Sequence, residues 1–124
     1  MRWRQEFVVG GWQPGEGGRT GRLGSLLVGY YDATGALRYA GRVGTGFSDT
    51  ELRQLGQRLA ALTASEPPFT PPPPATVAPT AHWVHPDLVA EVAFGEWTSE
   101  GILRHPAYIG LRADKDPAEV VRET

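Results

Sequence analysis

At 124 residues, with 40% hydrophobic and 21% charged side chains, the chain is sized for one domain (1–124) with a modest core. It has no cysteine, which excludes a disulfide framework and thiolate metal sites and fits a reducing cytoplasm. The net charge of −2 argues against a generic basic nucleic-acid binder, and no apolar run approaches the roughly 18 residues of a membrane helix.

The charge is uneven. Residues 1–62 hold eight arginines against five acids, and residues 63–124 hold four basic groups against nine acids. A phosphate-facing surface is therefore expected mostly from the first half. Met1-Arg-Trp-Arg-Gln-Glu is not expected to act as a signal peptide.

Phe7-Val8-Val9, bounded by Gly10-Gly11, reads as a first strand. The stretch Gln13-Pro14-Gly15-Glu16-Gly17-Gly18-Arg19-Thr20-Gly21-Arg22 is too glycine-rich for an element to persist. Leu26 to Tyr31 predicts a second strand, and Asp32-Ala33-Thr34-Gly35 a turn. Leu37 to Val43 predicts a third strand, its alternation placing Leu37, Tyr39, Gly41 and Val43 on one face and Arg38, Ala40 and Arg42 on the other.

Ser48-Asp49-Thr50-Glu51 is a capping box, followed by Leu52, Leu55, Leu59 and Leu62 at helical spacing. Gly56 costs that helix roughly 1 kcal/mol against alanine and is expected to permit close packing. The proline-rich segment 66–79, with Pro71 to Pro74, reads as a stiff, extended surface connection, or as a docking site for a proline-recognising module. Trp83-Val84 and then 88–97 predict strands, and 102–104 and 108–111 a return. Asp116-Pro117-Ala118-Glu119 predicts the capped start of a short terminal helix.

The order is thus strand, strand, strand, helix, strand, strand and a helical tail. A five-stranded Greek-key barrel of the oligonucleotide-binding (OB) type, all-β with one intervening helix after its third strand, has that order. Other small β-barrels share much of it.

The residues richest in chemistry follow the last strand. Arg112-Ala113-Asp114-Lys115 holds the only lysine of the chain beside one of its eleven arginines. A planar guanidinium grips phosphate or carboxylate in a fork, an ammonium adds a point charge, and Asp114 between them can hold one or both. The pairing suits a polyphosphate. The same four residues also read as a solvated ion cluster.

Arg19 and Arg22, in the glycine-rich connection, could grip backbone phosphates without reading sequence. No Gly-Lys-Ser/Thr closes that loop and no helix follows, so it is not a Walker-type phosphate loop. Arg38 and Arg42 form a basic stripe on one strand face, leading to a turn of small residues where Thr45 offers a hydroxyl donor. His82, His85 and His105 lack ligand spacing with nearby acids, and no metal site is expected. Glu91 and Glu96, an odd number apart, would face opposite sides of an unbroken strand, which makes paired-carboxylate catalysis improbable. Trp12, Trp83 and Trp97 could stack bases, but read more simply as core or rim aromatics.

Taken in order, several stretches resemble one family: Arg4-Gln5-Glu6-Phe7-Val8-Val9-Gly10-Gly11, Gly29-Tyr30-Tyr31-Asp32, Tyr39-Ala-Gly41-Arg42-Val43-Gly44-Thr45-Gly46-Phe47, Val89-Ala-Glu91-Val92, Glu96-Trp97-Thr98 and Arg112-Ala-Asp114-Lys115. The family is the C-terminal OB domain of ATP-dependent DNA ligases, especially the ligase module of bacterial end-joining enzymes. The resemblance runs from Arg4 to about Glu123. It implies that Arg112 and Lys115, with Asp114, assist at the β- and γ-phosphates of ATP held by a partner nucleotidyltransferase domain. It also implies that Arg42 contacts the phosphates of nicked duplex DNA, and that ATP and Mg²⁺ serve the whole ligase rather than this domain alone.

The family's lysine nucleophile, in Lys-x-Asp-Gly, is absent, because Lys115 is followed by Asp116-Pro117. The chain alone is therefore expected to be inactive. Two alternatives stay open: a stand-alone OB module for single-stranded nucleic acid or protein, and a domain of the guanylyltransferase capping family, against which the 4–11 and 41–47 stretches speak. The ligase reading further requires an open path outward from Arg112 and Lys115.

Overall fold

The structure is a computed structural model describing residues 2–16 and 22–123. Its centre is β1 (Trp3–Pro14), flanked on one side by β2 (Leu23–Tyr31) and on the other by β4 (His82–Phe94). With β3 (Leu37–Val43) beyond β2 and β7 (Ala107–Leu111) beyond β4, these make an antiparallel sheet in the order β3-β2-β1-β4-β7. Helix α1 (Asp49–Ala61) follows β3, as its sequence predicts. Two short strands not anticipated as a separate unit, β5 (Glu96–Trp97) and β6 (Leu103–Arg104), pair as a ribbon after the chain leaves β4 at Gly95.

The capping box forms in full. Ser48 Oγ accepts from the Glu51 amide at 3.1 Å, and the Glu51 carboxylate accepts from the Ser48 amide at 2.9 Å, so two otherwise orphaned donors are satisfied. Leu55 and Leu59 are the buried positions of α1. Gly56 does not serve close packing as expected, because a Cβ there would meet nothing within 4 Å.

The sheet buries both faces, and alternation along the strands sorts its side chains between them. On one face Phe7, Leu26, Val28, Val43 and Phe94 pack with Leu55 and Leu59 of α1. On the other, Val8, Leu27, Leu37 and Val89 pack beneath Phe69 and Val77. The proline-rich segment is thus more than a surface connection. It lays the Phe69 ring, 2% exposed, against Tyr39 and Trp83. Buried Gln13 ties down the segment's far end, donating to the Val77 carbonyl at 3.2 Å and the Thr80 hydroxyl at 2.9 Å.

Phe69 also explains why β1 does not stop at Gly10-Gly11. A Cβ on Gly10 would lie 2.5 Å from the Phe69 ring, so glycine here admits a packed side chain rather than ending a strand. Gly10 is the extra residue where β1 shifts register against β2, whereas against β4 the surplus lies on β4, whose residues 84–87 stand opposite Gly10. The gap read between Val84 and residue 88 corresponds to the same irregularity: β4 pairs with β1 through Leu88 and again from Trp83, while the His85 amide donates to the Leu62 carbonyl.

The tail differs from expectation. Asp116 accepts from the Ala118 amide at 3.0 Å, but the helix it caps is a single 3₁₀ turn, Pro117–Glu119. The chain then leaves to pair with β2, where the Tyr31 amide donates to the Val120 carbonyl at 2.8 Å. Buried Gln5 continues the anchorage, donating to the Val121 carbonyl and accepting from the Glu123 amide. No helix among the described residues is long and apolar enough to cross a membrane.

Candidate functional site

Glu6 on β1 and Glu91 on β4 are direct cross-strand partners, one pair along from Val8 and Val89 on the same sheet face. Two like charges set opposite each other repel. The chain resolves this with the residues after β7. The Arg112 amide donates to the Val89 carbonyl at 2.8 Å, which holds the start of the turn against β4, and the Lys115 amide reaches back to the Arg112 carbonyl at 3.4 Å.

From that anchored turn the Arg112 guanidinium enters between the two glutamates, its Nη1 3.4 Å from Glu6 Oε2 and 3.7 Å from Glu91 Oε1. Its other edge is gripped bidentately by Asp114, Nε to Oδ1 and Nη2 to Oδ2, both at 3.0 Å. Lys115 Nζ lies 3.9 Å from Glu6 Oε1, and Arg4 Nη1 lies 3.7 Å from Glu91 Oε2. Three cations and three carboxylates therefore form one cluster. Of the two cations that Asp114 could hold, it is hydrogen-bonded to Arg112, while Glu6 reaches both.

The bidentate bond and the charge of Asp114, followed by Glu6 and Glu91, raise the Arg112 pKa above its ordinary value. The Arg112 hydrogen bond in turn holds the Asp114 carboxyl below the usual carboxylate range. The cluster sits at the surface: the Arg112 and Lys115 side chains are 37% and 33% exposed, and Asp114 is 72% exposed. The outward path that a phosphate needs is open. Guanidinium and ammonium N–H groups of this kind can donate to phosphate or carboxylate oxygens.

The remaining candidates are spread apart. Arg19 lies outside the described residues. Arg22 closes the β1–β2 connection, its carbonyl accepting from the Gly15 amide at 2.8 Å, and its side chain lines an open groove with Trp12, Leu52 and Arg53. Exposed Thr45 gives its carbonyl to the Tyr108 amide at 2.9 Å.

Arg38 and Arg42 do not form the expected stripe. Arg38 stands opposite Tyr30 and Arg42 opposite Leu27, positions three apart on β2 and so on opposite faces. The cause is an extra residue, Ala40, where β3 shifts register, a β-bulge that reverses the alternation midway. Arg38 pairs with Asp32 at 3.8 Å, and Arg42 donates to Gln13 Oε1 at 3.3 Å.

His82 stacks on Trp12, ring centroids 4.2 Å apart. Trp97 packs edge-on against Phe7, Phe94 and Tyr30 with Arg122 over its face, and Trp83 packs on Phe69. Glu91 and Glu96 are separated by the break at Gly95, so Glu96 belongs to the ribbon. Sequence reasoning missed the parts played by Arg4, Glu6 and Glu91. The available signal was charge at alternate positions, Arg4 and Glu6, at the head of an apolar strand.

The sequence and fold match one protein class. A family model for the C-terminal region of ATP-dependent DNA ligases matches residues 19–115, and the chain belongs to that family. Among named relatives, it is 54% identical over 119 residues to the multifunctional non-homologous end joining DNA repair protein LigD of Mycobacterium tuberculosis, covering 96% of this chain and 16% of that protein. It is 39% identical over 122 residues to LigD of Pseudomonas aeruginosa, covering 97% of this chain and 14% of that one. The chain thus spans about a sixth of the length of these relatives.

Among solved structures, the ligase domain of M. tuberculosis LigD superposes with a TM-score of 0.92 at 51% identity, over 98% of this chain and 39% of that one. A mycobacterial DNA ligase D complexed with ATP and MES superposes with a TM-score of 0.85 at 50% identity, over 98% and 38%.

Proposed function

We propose that this chain is the OB-type C-terminal domain of a LigD-like, ATP-dependent DNA ligase serving end joining, and that it assists adenylation of the enzyme from a site on its surface. The Thr45–Tyr108 bond, from the chain just after β3 to β7 at the other edge of the sheet, supports a closed OB barrel of Greek-key order. One observation carries the functional reading. A guanidinium and an ammonium stand on the turn just after β7, a third or more exposed, held by carboxylates at the surface rather than inside the core.

In this reading the domain closes over a nucleotidyltransferase domain that carries the lysine nucleophile. Arg112 and Lys115 then offer further N–H groups to β- and γ-phosphate oxygens of ATP while Glu6 and Asp114 keep hold of them. There they orient the departing pyrophosphate and offset the charge that develops on it. Mg²⁺, when bound in the whole ligase, supplies further charge neutralisation. In this chain the carboxylates nearest the phosphate site are already paired with arginine and lysine, which supports the reading that a metal would be held by the partner domain. After adenylation the domain turns to nicked duplex DNA, where Arg42 contacts backbone phosphates, with Arg22 and Thr45 as further contacts. Arg38, on the opposite face of β3, does not share the DNA strand that Arg42 meets.

The test pairs this chain with a LigD-type nucleotidyltransferase domain, fused or added in trans. Arg112→Ala or Lys115→Ala should slow adenylation by ATP on the order of a hundredfold while sparing the sealing of nicks that are already adenylated. Equal loss in both assays removes the phosphate role.

A further inference from the structure

The two cations of the phosphate site are attached to the chain very differently. Arg112 has its own clamp, the bidentate Asp114, and an anchored amide. Lys115 is a point charge on a flexible four-carbon stem, beyond the strand end. For both to meet one pyrophosphate, something must fix the ammonium relative to the guanidinium. Asp114, two residues from Arg112, is bonded through both oxygens to Arg112 and acts on Lys115 through its charge without a direct ion pair.

Glu6 divides its oxygens between the pair. Oε2 faces Arg112 Nη1 at 3.4 Å and Oε1 faces Lys115 Nζ at 3.9 Å. It can do so because it lies mid-strand on β1, the centre of the sheet, flanked by buried Gln5 and buried Phe7 that leave its backbone no freedom. Its carboxylate is 21% exposed, so it is the fixed end of the contact and the cations are the mobile one. Glu91, opposite, faces Arg112 and Arg4, and is not paired with Lys115.

We propose that Glu6 is a positioning residue for adenylation: one carboxylate on the central strand sets the spacing of Arg112 and Lys115, so that both cations are presented together to adjacent phosphate groups. The role rests on the phosphate reading above. It acts through the two cations and involves no contact between Glu6 and the nucleotide, whose charge would repel it.

The experiment uses the chain joined to a LigD-type nucleotidyltransferase domain. Glu6→Gln keeps size and leaves one acceptor oxygen, so it cannot hold two cations. It should lower the rate of adenylation at saturating ATP on the order of tenfold, with sealing of pre-adenylated nicks and the unfolding midpoint unchanged. Glu91→Gln leaves Lys115 held and should cost distinctly less. In a Lys115→Ala background, Glu6→Gln should add little, because half of what it positions is gone.

Wild-type adenylation by Glu6→Gln, a loss from Glu91→Gln as large as from Glu6→Gln, or full additivity with Lys115→Ala would each overturn the proposal. A loss shared equally by the sealing step would also overturn it, since that is the mark of a structural role. The underlying phosphate reading fails separately. That is the result if Arg112→Ala and Lys115→Ala leave adenylation intact, whatever Glu6→Gln does.

Discussion

The carbonyl of Thr45 accepts from the amide of Tyr108 at 2.9 Å, and this one bond joins the chain leaving β3 to β7 at the far side of the sheet. The approach is close because Gly46 follows. Gly46 adopts φ +96°, and a Cβ on it would lie 2.4 Å from the Tyr108 carbonyl oxygen and 2.8 Å from its nitrogen. The stacked rings of Phe47 and Tyr108 lie just beyond, centroids 4.6 Å apart.

Gly46→Ala is therefore expected to part the two strands. Both an unfavourable backbone conformation and a clash with backbone atoms oppose it, and the loss should be about 2–3 kcal/mol in chemical denaturation. The amide of Tyr108 should also lose protection from hydrogen exchange before the amides of β1 do.

Phe69→Ala tests whether the proline-rich segment belongs to the core. Truncating a ring that is 2% exposed and packed on Tyr39 and Trp83 should cost about 3–5 kcal/mol in equilibrium unfolding. A change below about 0.5 kcal/mol, typical of a surface connection, would return the segment to the role its composition suggests.

How much of this was legible depends on how local each interaction is. The capping box of Ser48 and Glu51 and the burial of Leu55 and Leu59 follow from spacing within one helix, and they form as read. Arg112, Asp114 and Lys115 were legible because three charged residues sit within one turn. Phe69 was not legible, because a single aromatic among prolines looks like linker until Gly10 is known to make room beneath it. The glutamate pair was hidden for another reason. Glu6 and Glu91 meet only through the register of β1 against β4, which no local pattern states. The alternation of β3 misled because it assumed a strand without a surplus residue.

The Asp114 carboxyl offers a direct probe of the cluster. Its depressed value comes first from the hydrogen bond to Arg112, so its midpoint in an NMR titration should lie below that of an ordinary aspartate. Arg112→Ala should raise it toward the ordinary value, though not fully, because a backbone hydrogen bond and the Lys115 charge still lower it. By linkage, a carboxyl depressed in the folded state contributes stability above its unfolded pKa, and loses it as pH falls through the folded one. The ion cluster should accordingly loosen at the acid end of the titration and stay intact at neutral pH.

Arg42 is expected to contact the DNA backbone. Arg42→Ala in the ligase should weaken duplex binding about equally for all sequences and reduce the dependence of log K on log salt by roughly one unit. An unchanged slope would place this guanidinium off the nucleic acid.

Ala40, the surplus residue of β3, has a consequence for any duplex laid on this domain. It turns Arg38 and Arg42 to opposite sides, so a single sugar-phosphate chain following one surface meets one of them and not the other. Nor can the two be brought into line by trimming the strand. Ala40 is itself fully buried, and removing it would rotate Val43 out of the hydrophobic interior as it swung Arg42 across. The direction in which these arginines point is thereby tied to what fills the protein beneath them.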